Sequence, residues 1–132
     1  MARILVIDDD ETLLATLEQL LTLAGHIAVT ATDGLQGAKL FRAEPFEVII
    51  TDIIMPNREG LETIIMLHRE FPEVGVIAIS GAVNLSKTYL NMAARLGAHC
   101  TLAKPFTTRQ LTDAIADTLA AKGSGGPTAS PS

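Results

Sequence analysis

Short apolar runs recur along this chain, and each stops at a polar residue before a longer stretch with helical spacing begins. The runs are Arg3-Ile4-Leu5-Val6-Ile7, His26 to Ala31, Phe46 to Thr51, Val74 to Ile79 and Ala98 to Ala103. The apolar runs at 3–7 and 46–51 read as strands buried on both faces, the signature of a parallel sheet, while His26 to Ala31 reads as a weaker strand and Ala98 to Ala103 as a short one. Strands that alternate with helices of about ten residues imply right-handed crossovers and helices on both faces of one sheet. The sequence therefore predicts an α/β fold built on a five-stranded parallel sheet.

The intervening stretches support that reading. Glu11 to Ala24 carries Leu13, Leu17, Leu20, Leu21 and Ala24 at helical spacing, with Asp10 as N-cap and Gly25 as the stop. Thr32-Asp33-Gly34 is turn or cap chemistry before a helix over 35–43 with Leu35, Ala38 and Phe41 or Arg42 facing alternate ways, which includes Gly37, a poor helix former. Leu61 to Glu70 places Leu61, Ile64, Ile65 and His68 on one face, and Phe71-Pro72 ends it. Arg58 and Glu59 read as a solvated loop and helix start. Leu85, Tyr89, Met92 and Leu96 form another stripe, closed by Gly97. Thr107 or Thr108 caps a last helix with Leu111, Ala114, Ile115 and Leu119 facing inward. The division expected is one domain over 1–122 and a flexible Gly/Ser/Pro tail over 123–132.

Composition narrows the function classes. At 132 residues, 48% hydrophobic and 19% charged, the chain can bury a core without staples. A net charge of −5 with no basic cluster argues against direct nucleic-acid binding. No apolar run reaches the roughly 18–20 residues of a membrane span, and Met1-Ala2-Arg3 runs straight into a strand, so no membrane insertion and a cytoplasmic location are expected. Cys100 alone cannot form an internal disulfide. It reads as a small core residue, and His26, His68 and His99, which lack metal-ligand spacing, as structural or surface groups.

In an open parallel sheet the chemistry lies outside the carboxyl ends of the strands. Four of the five strands end there on polar groups: Asp8-Asp9-Asp10, Asp52, Ser80 and Lys104. Singly, each has an ordinary explanation as a cap or a turn; their ordered co-occurrence is what makes the set specific. Converging carboxylates repel by roughly 1 kcal/mol per close pair in water and several at an effective dielectric near 20. A hard divalent cation with oxygen ligands resolves that repulsion, and Mg²⁺ accepts a few carboxylates plus water. Lys104 adds positive charge and Ser80 a hydroxyl donor. An ionised aspartate in such company is equipped to capture a phosphoryl group as an acyl phosphate, with Asp52 as the nucleophile and no general base required.

With Val6-Ile7-Asp8-Asp9-Asp10, Asp52-Ile53-Ile54-Met55-Pro56 with Gly60, Ile79-Ser80-Gly81 and Lys104-Pro105-Phe106, the chain resembles the receiver domains of two-component response regulators, of the single-domain chemotaxis-regulator type. The resemblance spans about residues 3–121. It implies a flavodoxin-like fold and phosphorylation of Asp52 by a sensor histidine kinase or a histidine phosphotransfer protein, in phosphorelay signalling toward an unidentified protein target. It further implies direct Mg²⁺ ligation by Asp9, Asp52 and the main-chain carbonyl of Ile54, with Asp8 acting through water. Ser80 and Lys104 would contact the phosphoryl group, and the Lys104–Pro105 bond would be cis. Receivers are not turnover enzymes beyond their own phosphorylation and dephosphorylation.

The chain departs from the pattern at Thr101, where many receivers carry an aromatic switch residue, and Ile54 and Ala82 are apolar at positions that modulate phosphoryl loss. The surface expected to meet partners includes Leu90, Ala94 and Thr101. Two alternatives come from other classes. A small phosphohydrolase acting through aspartyl phosphate would call for an Asp-x-Asp pattern after the first strand and a cap, which the chain lacks. A flavin-binding protein would need a Ser/Thr/Gly-rich phosphate loop where the acidic run stands.

Overall fold

A computed structural model describes residues 2–53, 58–80, 95 and 97–123, with backbone alone for 58–61, 80, 122 and 123. Strands β1 (Arg3–Ile7), β2 (Ile27–Ala31), β3 (Val48–Asp52), β4 (Gly75–Ser80) and β5 (Cys100–Ala103) form one sheet in the order β2-β1-β3-β4-β5. Every pairing is parallel. The described helices are α1 (Glu11–Leu23), α2 (Gly34–Ala43), α3 (Arg58–Glu70) and α4 (Thr108–Gly123). This is the five-stranded parallel sheet that the strand–helix alternation predicts, in the flavodoxin-like form that the resemblance implies.

Side chains on a strand alternate between faces, and here each face has its own core. Leu5, Ile7, Ile49, Val76 and Ala78 pack with Phe41, Ile64, Ile65 and Leu67 on the side of α2 and α3. Ile4, Val6, Val48, Ile50, Ile77 and Ile79 pack with Leu14, Leu17, Leu21, Leu111, Ala114 and Ile115 on the side of α1 and α4. Burying β1, β3 and β4 on both faces explains why their runs show no polar alternation.

Local chemistry starts the helices where the sequence places caps. The Asp10 carboxylate accepts from the backbone N–H of Thr12 at 3.0 Å and of Leu13 at 3.2 Å. Asp33 accepts from Gln36 N at 2.8 Å, and Gln36 Oε1 accepts from Thr32 N at 2.9 Å. Thr107 and Gln110 form a reciprocal capping box before α4: Thr107 Oγ1 accepts from Gln110 N at 3.0 Å, and Gln110 Oε1 from Thr107 N at 2.8 Å. Gly25, at φ +91°, lets the chain leave α1 in the left-handed region.

Several details differ from the sequence reading. The buried stripe of α1 is Leu14, Leu17 and Leu21, while Leu13 and Leu20 are half-buried and Ala24 is exposed. Leu35 is exposed, and Ala38 and Phe41 bury α2. Gly37, a cost to helix propensity, has a packing reason: a Cβ there would stand 2.6 Å from Ile7 Cδ1, so only glycine lets α2 settle this close to β1. The α3 helix begins at Arg58, earlier than the apolar pattern shows, because Arg58, Glu59 and Gly60 add no apolar residue to that pattern.

His26 Nδ1 accepts from Ala2 N at 3.1 Å, His68 is half-buried with its ring packed against Gly97, and His99 is exposed. Burial pushes the His68 pKa down. Cys100 is half-buried on the α4 side of the sheet. The stripe Leu85, Tyr89, Met92 and Leu96, the surface candidates Leu90 and Ala94, and residues 124–132 lie outside the described residues; α4 itself runs through Gly123.

Candidate functional site

The central strands β1 and β3 lie side by side with Ile7 opposite Thr51, so the residues that follow each register position emerge together at the carboxyl edge. Asp8 is the residue after β1 and Asp52 the last residue of β3. Each continues the parity of the side chains facing α1 and α4: Ile4, Val6, then Asp8; Val48, Ile50, then Asp52. Lys104 continues the parity of Cys100 and Leu102 on β5. The period-2 count brings the two carboxylates and the lysine to one side of one edge.

Asp8 is fully buried and Asp52 is 4% exposed, whereas Asp9 faces solvent. Such burial is costly for ionised carboxylates without compensating partners. One Asp8 oxygen, Oδ1, accepts from Asp10 N at 2.8 Å. The other, Oδ2, lies 2.9 Å from Lys104 Nζ. That approach is an ion pair lacking the direction of a hydrogen bond, so Oδ2 keeps unused acceptor capacity in a buried position. Lys104 Nζ also donates to Asp52 Oδ2 at 3.0 Å. Burial acts to lower the Lys104 pKa, but the close contacts and negative charges of Asp8 and Asp52 outweigh it and raise the pKa. The ammonium is thereby held charged. Thr51 Oγ1 donates to the Asp52 carbonyl at 3.1 Å, and Ile53 N donates to the Ile79 carbonyl at 3.0 Å, anchoring the backbone on either side of Asp52.

One carboxylate oxygen each from Asp8, Asp9 and Asp52 lies within 4.8 Å of the others. All the donors are oxygens, and one is a buried oxygen with spare acceptor capacity, which is the donor chemistry a hard divalent cation selects. The cluster therefore fits such a cation.

A family model for the response regulator receiver domain matches residues 4–116. The chain belongs to this family.

Among relatives of this receiver, the transcriptional regulatory protein PrrA of Mycobacterium bovis is 31% identical over 122 residues, which are 92% of this chain and 52% of that protein. The response regulator protein FleR of Pseudomonas aeruginosa is 30% identical over 117 residues, 87% of this chain and 24% of that protein. The receiver thus spans about half or less of the length of these curated relatives. Among solved structures, a CheY-like response regulator receiver domain protein of Methanospirillum hungatei superposes with a TM-score of 0.86 at 27% identity, covering 96% of this chain and 99% of the other. A receiver domain protein of Clostridium thermocellum gives a TM-score of 0.80 at 32% identity, covering 93% and 98%.

Of the residues singled out in the sequence, Asp8, Asp9, Asp52 and Lys104 are brought together. Ser80 closes β4, with its backbone paired to Ala103 and its side chain outside the described set. Ile54 and Ala82 lie outside the described residues, and Thr101 is exposed on β5. The Lys104–Pro105 peptide bond is cis. Two supporting groups carried no signal in the sequence. Thr51 steadies the Asp52 backbone, and the Asp10 N–H occupies one oxygen of Asp8.

Proposed function

We propose that Asp52 is the phosphoacceptor of this receiver, charged by a sensor histidine kinase or a histidine phosphotransfer protein. The observation that carries the assignment is the Lys104 ammonium 3.0 Å from Asp52 Oδ2, beside the Asp8–Asp9 pair. In the transfer an Asp52 carboxylate oxygen forms the new bond to phosphorus as the phosphorus–nitrogen bond of the donor phosphohistidine breaks. The departing imidazole nitrogen takes the electron pair and then a proton. Lys104 stabilises charge on the transferred oxygens, and the Ser80 hydroxyl donates to the same group.

Mg²⁺, when bound, neutralises negative charge on the acids and on the incoming group; Asp8, Asp9, Asp52 and the Ile54 carbonyl are the residues that would hold it. The buried Asp8 and Asp52 carboxylates, paired with one ammonium, carry one negative charge in excess, and that excess favours a cation at the site. Phosphorylation then biases a protein-interaction surface read by a downstream protein. With Thr101 exposed on β5, the change is transmitted without an aromatic side chain at that position. Neither direct nucleic-acid binding nor membrane insertion enters this function.

Incubation with Mg²⁺ and acetyl phosphate followed by intact mass measurement tests the assignment. The natural chain gains one phosphoryl group and Asp52→Asn gains none. Retention of the gain in Asp52→Asn would overturn it.

A further inference from the structure

Thr51 is the one polar residue in the run Val48-Ile49-Ile50-Thr51 that leads to Asp52, and it is fully buried. It shares the parity of Ile49 and Ile53, which belong to the core on the α2 and α3 side, so its hydroxyl sits on an apolar face. Its neighbours across the sheet are Ile7 on β1 and Ala78 on β4. Valine would fill the same slot with no polar atom to bury, so packing gives no reason for a hydroxyl here.

The hydroxyl has a specific use instead. Thr51 Oγ1 donates to the Asp52 carbonyl at 3.1 Å, and Ile53 N, at the other end of that peptide unit, donates to the Ile79 carbonyl at 3.0 Å. The unit is thus held at both of its polar groups just where β3 ends. Turning it breaks one of these contacts and tilts the Asp52 backbone, from which the carboxylate reaches Lys104 Nζ at 3.0 Å. Thr118, the other buried threonine among the described residues, makes an ordinary bond to the Ala114 carbonyl one turn back in α4, at 2.7 Å.

We infer that Thr51 is a positioning residue for phosphoryl transfer, its hydroxyl locking the peptide unit after Asp52 so that the carboxylate keeps its line to the incoming phosphorus. The inference rests on the reading of Asp52 as phosphoacceptor and adds the group that aims it. A buried hydrogen bond contributes little net stability but selects one arrangement. Its loss therefore shows more in the transfer rate, where a small error of aim is costly, than in the stability of the fold.

The test follows phosphoryl gain from acetyl phosphate by intact mass, on the full chain at saturating Mg²⁺. Thr51→Val reacts about tenfold more slowly at saturating donor, while the half-saturating donor concentration moves less than about twofold. Thr51→Ser, which keeps the donor, restores the rate. Thr118→Val loses a buried threonine hydroxyl elsewhere and reacts as the natural protein does. A natural rate in Thr51→Val, or equal slowing in Thr118→Val, overturns the inference while Asp52 stands. If the natural chain gains no phosphoryl group, the Asp52 reading falls and the inference with it.

A second measurement reads the lock without chemistry. Amide hydrogen exchange at Ile53 is about fivefold faster in Thr51→Val and unchanged in Thr51→Ser and Thr118→Val. Natural protection of Ile53 in Thr51→Val overturns the lock. Thr51→Ala removes the hydroxyl without adding a methyl, and it carries both measurements if Thr51→Val fails to fold.

Discussion

The two ends of the sheet treat charge in opposite ways. At the amino end Arg3 reaches Glu44 Oε2 at 3.4 Å, donates from Nε to the Pro45 carbonyl at 3.3 Å, and lays its guanidinium 4.7 Å over the Phe46 ring. Glu44 is 70% exposed there, so its charge keeps its hydration. At the carboxyl end Asp8 and Asp52 are buried, with one shared ammonium. Exposed pairs cost little to form and contribute little, whereas buried charges cost several kcal/mol each in lost hydration. A fold gains nothing in stability from collecting two buried acids and one lysine. The contrast teaches that the amino end is tied at little cost, whereas the carboxyl end holds buried charge at a cost that stability alone does not explain.

The largest effect expected from breaking this contrast is at Lys104. Lys104→Ala leaves two buried carboxylates without their ammonium and lowers unfolding free energy by about 3 kcal/mol, the low end for a broken buried pair because the lysine is partly solvated. Urea denaturation at neutral pH measures it. Next comes Gly37→Ala, which leaves the site's charges alone but drives a methyl against Ile7, the neighbour of Asp8. It costs about 1–3 kcal/mol despite alanine's better helix propensity. A stabilised variant would show that α2 can shift away from β1.

Alkaline titration sharpens the comparison. The folded-state pKa of Lys104 is raised, so its contribution to stability is complete below the ordinary lysine value of 10.5 and is lost as pH rises through the higher folded value. The stability gap between the natural protein and Lys104→Met should therefore close in that alkaline window. The gap between the natural protein and Arg3→Met should stay constant there, since a guanidinium remains charged. Closure of both gaps together would mean that the alkaline loss is not local to the carboxyl end. The smallest effect is at the amino end, where Arg3→Ala costs no more than about 1 kcal/mol in the same urea assay. A cost matching that of Lys104→Ala would erase the distinction between the two ends.

Much of this molecule is legible in local sequence. The strand runs, the caps at Asp10, Asp33 and Thr107, and the acids that follow β1 and end β3 depend on contacts within a few residues or on a period of two, and both are written along the chain. Tertiary structure decided the rest. Gly37 weakens α2 by propensity alone and has its reason in the nearness of Ile7, and the inward stripe of α1 passes through Leu14 rather than Leu13.

Adjacent aspartates that look alike in sequence became unlike in space, Asp8 buried and Asp9 exposed, because a side chain's burial depends on what packs over it. Above all, the pairing of Lys104 with Asp52, 52 residues away, exists only because β5, β4, β3 and β1 stack in register and bring distant strand ends to one edge. Sequence by itself determined which chemical groups stand at the strand ends. Only the folded sheet determined which of them touch, since distances across a sheet follow from strand order and register and not from separation along the chain.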